Sequence, residues 1–358
     1  MPIGFPPTDS GVEIRILRQL FTPEEAGIAL ELSAIPEPLA VIHKRLKSRL
    51  TLDELAQALA GMDKKGVVLR ISTGAGPRYS KLMFVVGMYE RQLKRLTPQF
   101  ERDSIQYMQE GFDTAFLSTK TTQMRVVPVN RTIPAGRSVA TYDDIREYVR
   151  SSPGPFARMD CICRHGRGLI GEPCRQTDMR ENCLTLGKAA AWAADSGNGR
   201  AISREEMLEL LDEADRQGLV LQPENTQNPL FVCCCCGCCC GVLTAAKRFP
   251  RPAEYFSSNF YARVDADACQ SCGACETRCQ MDAIHSNDGH AEVDLARCIG
   301  CAVCVTTCPS NALRLEPKAA PRVPPDATQA LYLKILQERY GPLGMLKLAA
   351  QKALGMKI

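Results

Sequence analysis

The stretch "FVCCCCGCCCGVL", from Phe231 to Leu243, puts seven cysteines into the eight positions from Cys233 to Cys240. Few folds can take such a run. Free thiols oxidise and neighbouring thiols compete for space, so the run must be a disulfide knot, a zinc site, a membrane segment or a cluster wall. The chain has 19 cysteines, none before Cys161 and none after Cys308. That total is odd, and consecutive cysteines are poorly placed to pair with each other. The N-terminus "MPIGFPPTDSG" shows neither a charged nor an apolar signal region. A reducing, cytoplasmic setting with metal-bound thiolates is therefore expected. Residues 230–246 are apolar, but the run is short for a span and metal-bound thiolates do not face lipid.

In an extended segment alternate residues face opposite sides, so Cys233 and Cys235 face one way and Cys234 and Cys236 the other. Gly237 permits a bend or a close backbone approach. The run then reads as a shared wall between two clusters, completed by the remote Cys161, Cys163, Cys174 and Cys183. Eleven cysteines lie between Cys161 and Cys240. Eight would suffice for two [4Fe–4S] clusters and leave three over. A zinc or storage-type thiolate cluster is the alternative. His165, two residues after Cys163, reads as a hydrogen-bonding neighbour, since a ligand role of the Rieske kind needs two histidines on one iron. His43, His285 and His290 show no pairing pattern. "GRGLIG" (166–171) matches G-x-G-x-x-G, but Glu172-Pro173-Cys174 follows where a dinucleotide site needs a helix. A loop around a cluster is expected there.

Residues 255–316 hold an internal repeat of period 29. Cys269, Cys272, Cys275 and Cys279 map onto Cys298, Cys301, Cys304 and Cys308. Val264-Asp265 maps onto Val293-Asp294, and Ala283-Ile284 onto Ala312-Leu313. Each copy reads C-x2-C-x2-C-x3-C, in which three thiolates close on one cubane and the fourth serves its partner. Residues 260–316 resemble a bacterial-type dicluster ferredoxin with two [4Fe–4S] clusters. The resemblance assigns Cys269, Cys272, Cys275 and Cys308 to one cluster, and Cys298, Cys301, Cys304 and Cys279 to the other. The family's proline after the fourth cysteine is present as Pro309, but Gln280 follows Cys279. Gln280 keeps a backbone N–H there, which is expected to favour reduction of the Cys298 cluster. C-x2-C pairs also occur in zinc ribbons, the alternative for this segment.

The middle region resembles, less closely, the cysteine-rich segments of large "4Fe-4S dicluster domain" proteins of anaerobic bacteria. Their dense run reads roughly C-N-C-C-x-C-C. The resemblance points to Cys161, Cys163, Cys174, Cys183, Cys233, Cys235, Cys236, Cys238 and Cys239, and places Cys234 and Cys240 last among the candidate ligands.

The expected fold is α+β, in four segments. Residues 1–155 form a cysteine-free domain. Its helix-start signals are Thr22-Pro23 with Glu25, and Thr51 with Glu54; a turn at Gly66 leads into a β-rich run. Helix, helix, turn and strand over 22–72 resemble a winged helix. "TPQFERDSIQYMQEGF" reads as a helix, "QMRVVPVN" as a strand and "TYDDIREYV" as a short helix. Residues 156–254 form the cysteine-rich module, with "CLTLGKAAAWAA" as a helix. A second helix, "SREEMLELLDEADRQG", has a Ser203–Glu206 capping box and a stop at Gly218. Residues 255–316 form the ferredoxin-like domain, and 317–358 a Pro/Ala linker and helical tail.

Three functions fit. The first is an electron carrier, or the electron-transfer subunit of an anaerobic redox complex, working with redox protein partners. The second is an iron–sulfur transcription regulator. The third is a catalytic subunit with an unusual cluster in the dense site. Asp53, Glu54 and Gln57 on the candidate recognition helix argue against reading DNA, which wants Arg and Asn. Residues 1–160 hold 22 Lys/Arg against 18 Asp/Glu, with no dense basic block. No small-molecule substrate signature stands out. The tail from Lys318 to Ile358 carries seven Lys/Arg and two Asp/Glu. That balance suits an acidic partner or the inner face of an anionic membrane, or a helix packed on its own protein.

Overall fold

The computed structural model describes residues 2–46, 50–129, 141–354 and 356–358. Their contacts gather into two compact units, Met1–Thr119 with Tyr332–Ile358, and Lys120–Leu331.

In the first unit, capping chemistry sets the helix starts. Thr22 Oγ1 accepts the Glu25 N–H at 3.2 Å while the Glu25 carboxylate accepts the Thr22 N–H at 2.9 Å. This box opens the helix Pro23–Leu30. Thr51 and Glu54 do the same for Leu52–Lys64, which buries Leu55, Leu59 and Met62 at helical spacing. Gly66, at φ 75°, turns the chain into the strand Val68–Thr73. That strand pairs antiparallel with Gly76–Lys81, whose other edge takes Glu37–Pro38. A further helix, Leu39–Arg45, precedes the second capping box. Thr97 caps Pro98–Tyr107, and Asp103 on that helix pairs with Arg15 of Val12–Leu20 at 3.0 Å.

The tail helix Thr328–Ala353 breaks at Gly341, where φ is 62° and Pro342 follows. Its end is tied down: the Ala34 N–H donates to the Ile358 carbonyl, and Lys357 Nζ to the Leu30 carbonyl at 2.9 Å. Beyond the break Leu343 is 84% exposed and Leu346 69%. Among the described residues no helix is long and apolar enough to cross a membrane.

The second unit is built on a five-stranded antiparallel sheet. Its order is Gly199–Ile202, Phe156–Met159, Cys183–Leu186, Phe231–Cys235, Val220–Pro223. The helix Lys188–Asp195 lays Ala190 and Ala193 on Ala157 and Met159. Four expectations are corrected here. Residues 183–186 form a strand, because both their edges are claimed, by Phe156–Met159 and Phe231–Cys235. "GRGLIG" begins within the helix Ile162–Leu169, which Cys161 immediately precedes. The stretch 123–129 makes only isolated bridges, Met124 to Glu224, Arg125 to Ser257 and Val127 to Leu221; Asn130 lies outside the described residues. Ser203 caps Arg204–Arg216 through the Glu206 N–H at 3.1 Å, but the Glu206 carboxylate turns to Arg158 and Arg200 instead of closing the box. Gly218, at φ 73°, ends that helix as expected.

Candidate metal centres

The period-29 repeat folds into two equivalent halves. Phe260–Val264 pairs antiparallel with Leu313–Pro317, and Ile284–Asn287 with His290–Val293. The registers match: Leu313 faces Val264, and Ile284 faces Val293, one period apart. Asp265 N–H donates to the Ala312 carbonyl and Asp294 N–H to the Ala283 carbonyl, both at 2.8 Å. The left-handed residues repeat as well: Ser271 with Gly300, Gly273 with Ala302, and Asp282 with Asn311. At Gly300 a Cβ would lie 2.6 Å from the Phe260 carbonyl carbon, so this position admits only glycine.

The strands and turns aim N–H groups at sulfur. The Ala291 N–H donates to Cys269 Sγ and the Ala262 N–H to Cys298 Sγ, both at 3.4 Å. The Ala283 N–H donates to Cys279 Sγ at 3.3 Å. Donors of this kind stabilise thiolates, as a cluster cradle requires. Cys269, Cys272, Cys275 and Cys308 line one cavity, so the cysteine from the second copy does reach the first site. Cys298, Cys301, Cys304 and Cys279 group at the other. Burial pushes the thiols of Cys301, Cys304 and Cys279 up, and their neighbours in the group add to it. Cys272 is exposed, whereas Cys298 and Cys304 are buried. The first cradle therefore opens to solvent and the second is deep. The N–H groups on the Cys279 sulfur are those of Ala283 and Met281, and the Gln280 side chain accepts the Gly237 N–H.

Residues 268–313 match the family model described as the 4Fe-4S dicluster domain. This segment is a [4Fe–4S] dicluster domain. No match to the chain was found among curated proteins or among solved structures. The match extends to none of the eleven cysteines before Cys269.

Those eleven divide into two sets and a lone Cys234. Cys174, Cys236, Cys238 and Cys239 hold their sulfurs within 4.8 Å of one another. Cys174 Sγ lies 3.6 Å from both Cys236 Sγ and Cys238 Sγ, and Cys238 Sγ is 3.6 Å from Cys239 Sγ. A second set runs across the sheet. Cys183 stands opposite Cys233 in register, and Cys233, Cys235 and Cys240 interact in turn through their thiols. Cys161 and Cys163, at the start of the helix Ile162–Leu169, border the same group, Cys161 beside Cys235 and Cys163 beside Cys240. Its thiols share protons unequally. The hydrogen bond with Cys163 holds Cys161 down at about 7 against its burial, helped by Arg164. Thiol hydrogen bonds and burial push Cys163, Cys233 and Cys240 up.

Cys234 belongs to neither set: it is buried, burial raises its pKa, and its carbonyl takes Arg164 and Asn182. Alternation along the strand Phe231–Cys235 thus separates Cys233 and Cys235 from Cys234, as expected. Cys236 departs from the alternation, because the chain leaves the strand there and turns. The Cys240 N–H returns to the Cys236 carbonyl at 3.2 Å, and the helix Gly241–Lys247 begins. Cys240, placed last with Cys234, sits within the six-thiol set.

Arg164 escaped the sequence reading. It is 1% exposed and lies near Cys161 and Cys235 of one set and Cys236 and Cys174 of the other. Burial alone would lower its pKa, but these thiolates hold its charge and raise it. A lone Arg after Cys163 carried no periodic signal. The second missed feature is the partner of Gly237. The Gly237 N–H donates to Gln280 Oε1 at 2.7 Å, joining the dense run to the residue after Cys279. His165 is half-buried and belongs to none of these sets.

Proposed function

We propose that the chain is an iron–sulfur electron-transfer protein, or the electron-transfer subunit of a larger redox complex, with cytoplasmic partners. The ligand sets follow the geometry: Cys269, Cys272, Cys275 and Cys308; Cys298, Cys301, Cys304 and Cys279; and a further iron–sulfur centre drawn from Cys161, Cys163, Cys183, Cys233, Cys235 and Cys240. Bound clusters supply one-electron storage at each set. The chain supplies ionised thiolates, N–H donors, the Arg164 counter-charge and exclusion of water. The observation that carries this reading is the continuity from an exposed edge to a buried interior. Cys272 is exposed, the second cradle is deep, and Gln280 beside Cys279 bonds directly to Gly237 of the dense run.

The N-terminal unit serves, on this reading, as a docking module of the winged-helix kind. Helix 23–30, strand 37–38, helices 39–45 and 52–64 and hairpin 68–81 support that kinship. Asp53, Glu54 and Gln57 are exposed on the third of these helices, an acidic face suited to a protein and not to a phosphate backbone. The tail's exposed Leu343, Leu346 and Leu354, with exposed Lys347 and Lys352, favour attachment to an anionic membrane surface. The test is anaerobic photoreduction followed by mixing with a one-electron acceptor protein. Rapid oxidation that is lost in Cys272→Ser supports the proposal. Oxidation at the same rate after loss of the exposed cradle would defeat it.

A further inference from the structure

We propose that Cys174, Cys236, Cys238 and Cys239 hold one structural zinc ion and not a [4Fe–4S] cluster. Nothing in the dicluster match reaches these residues. The argument is one of size. A tetrahedral tetrathiolate with metal–sulfur bonds near 2.3 Å has sulfur–sulfur edges of about 3.8 Å. A cubane carries each thiolate one bond outside its iron, on a tetrahedron roughly 6 Å on edge. Three sulfur pairs here stand at 3.6 Å, and all four sulfurs lie within 4.8 Å of one another. The set is the size of a single ion. The ferredoxin cysteines and the six-thiol set, among the described residues, form no comparably tight group. The small size is therefore particular to this site.

The local chain explains the convergence. The turn after the strand Phe231–Cys235 brings Cys236, Cys238 and Cys239 to one side, and the Cys240 N–H closes it onto the Cys236 carbonyl. Cys174 arrives from the segment after the helix Ile162–Leu169. Four protein thiolates leave no open position, which is the signature of a structural ion and not a catalytic one. Four thiolates on Zn2+ leave two net negative charges, and buried Arg164 beside Cys174 and Cys236 offsets part of them. A backbone N–H of Arg175 reaches Cys238 as an outer partner. Zinc has no redox chemistry, so the ion would keep a constant charge while neighbouring clusters titrate. Its role is to lock the 236–239 turn where Gly237 meets Gln280.

The test uses the full chain, purified anaerobically from iron-replete cells with its clusters intact. Metal analysis should give about one zinc per chain, independent of the iron content of the preparation. Zinc-edge X-ray absorption should show a single shell of about four sulfurs near 2.3 Å and no nearby metal. Cys238→Ser should lose the zinc and keep the iron. Because that variant could fail to fold, the absorption spectrum of the unaltered protein stands as the independent readout. Three results would each overturn the proposal: zinc that rises only as iron falls, a site filled by iron, or a Cys238→Ser protein that loses about four irons.

Discussion

Replacing Gly237 by alanine tests how the dense run meets the dicluster domain. A Cβ at this position would fall on the carbonyl oxygen of Gln280, far inside contact, and 3.0 Å from Lys247 Nζ. The lysine can swing away, although it is paired with Asp282 at 3.0 Å. The carbonyl is backbone and cannot move without moving Cys279. Overpacking of this kind costs about 1–3 kcal/mol. The bond from the Gly237 N–H to Gln280 Oε1 would also be strained, a further ~1 kcal/mol. The total, roughly 2–4 kcal/mol, should appear as a lower unfolding midpoint of the second unit, followed at Trp192. Gln280→Ala removes no backbone clash but loses two side-chain hydrogen bonds, from the Gly237 N–H and to the Arg278 carbonyl, and should cost about 1–2 kcal/mol. Gly61→Ala is the control: it lies in the helix Leu52–Lys64 with nothing within 4 Å of a built Cβ. It should stabilise slightly, by about 0.5–1 kcal/mol. A Gly237→Ala protein as stable as the parent would refute the close contact.

Three further outcomes are expected. The exposed cradle at Cys272 should have the higher potential of the ferredoxin pair, because burial penalises the extra negative charge of reduction at the Cys301 site; redox titration with EPR on Cys272→Ser and Cys301→Ser assigns the two. Burial raises Glu90 to about 7, opposed by the Gly87 N–H at 2.6 Å. Its folded pKa exceeds its unfolded one, so stability falls as pH rises from about 4.5 to 7, and Glu90→Gln should flatten melting curves across that window. The N-terminal unit should bind duplex DNA without sequence preference and weakly; a tight, sequence-dependent affinity with a steep salt slope would restore the regulator reading.

Much of the fold was legible where local chemistry decides it. Thr22–Glu25 and Thr51–Glu54 closed their boxes because both partners lie within one turn, and Glu25 does so even while paired with Lys65. The 29-residue period marked eight cysteines, and the flanking residues it equates pair alike in the structure, Val264 with Leu313 and Val293 with Ile284. Long-range partners undid other readings. Glu206 left its box for two arginines that sequence spacing does not reveal. Cys183–Leu186 became a strand only because two distant segments flank it. Alternation held for Cys233 to Cys235 and failed at Cys236, where a turn replaces the strand. The sorting of eleven thiols into sets of different size depends on where that turn points, and no motif encodes it.

The central claim is that the chain carries one redox-active cluster beyond its dicluster domain. The most direct measurement is spin-quantified EPR with iron analysis on anaerobic, dithionite-reduced protein, comparing the parent with a Cys233→Ser, Cys235→Ser double variant. The account predicts about twelve irons for the parent, and loss of about a third of the iron and one signal in the variant, with the ferredoxin pair unchanged. A parent with about eight irons, or a double variant with the same iron and spectra, would contradict it.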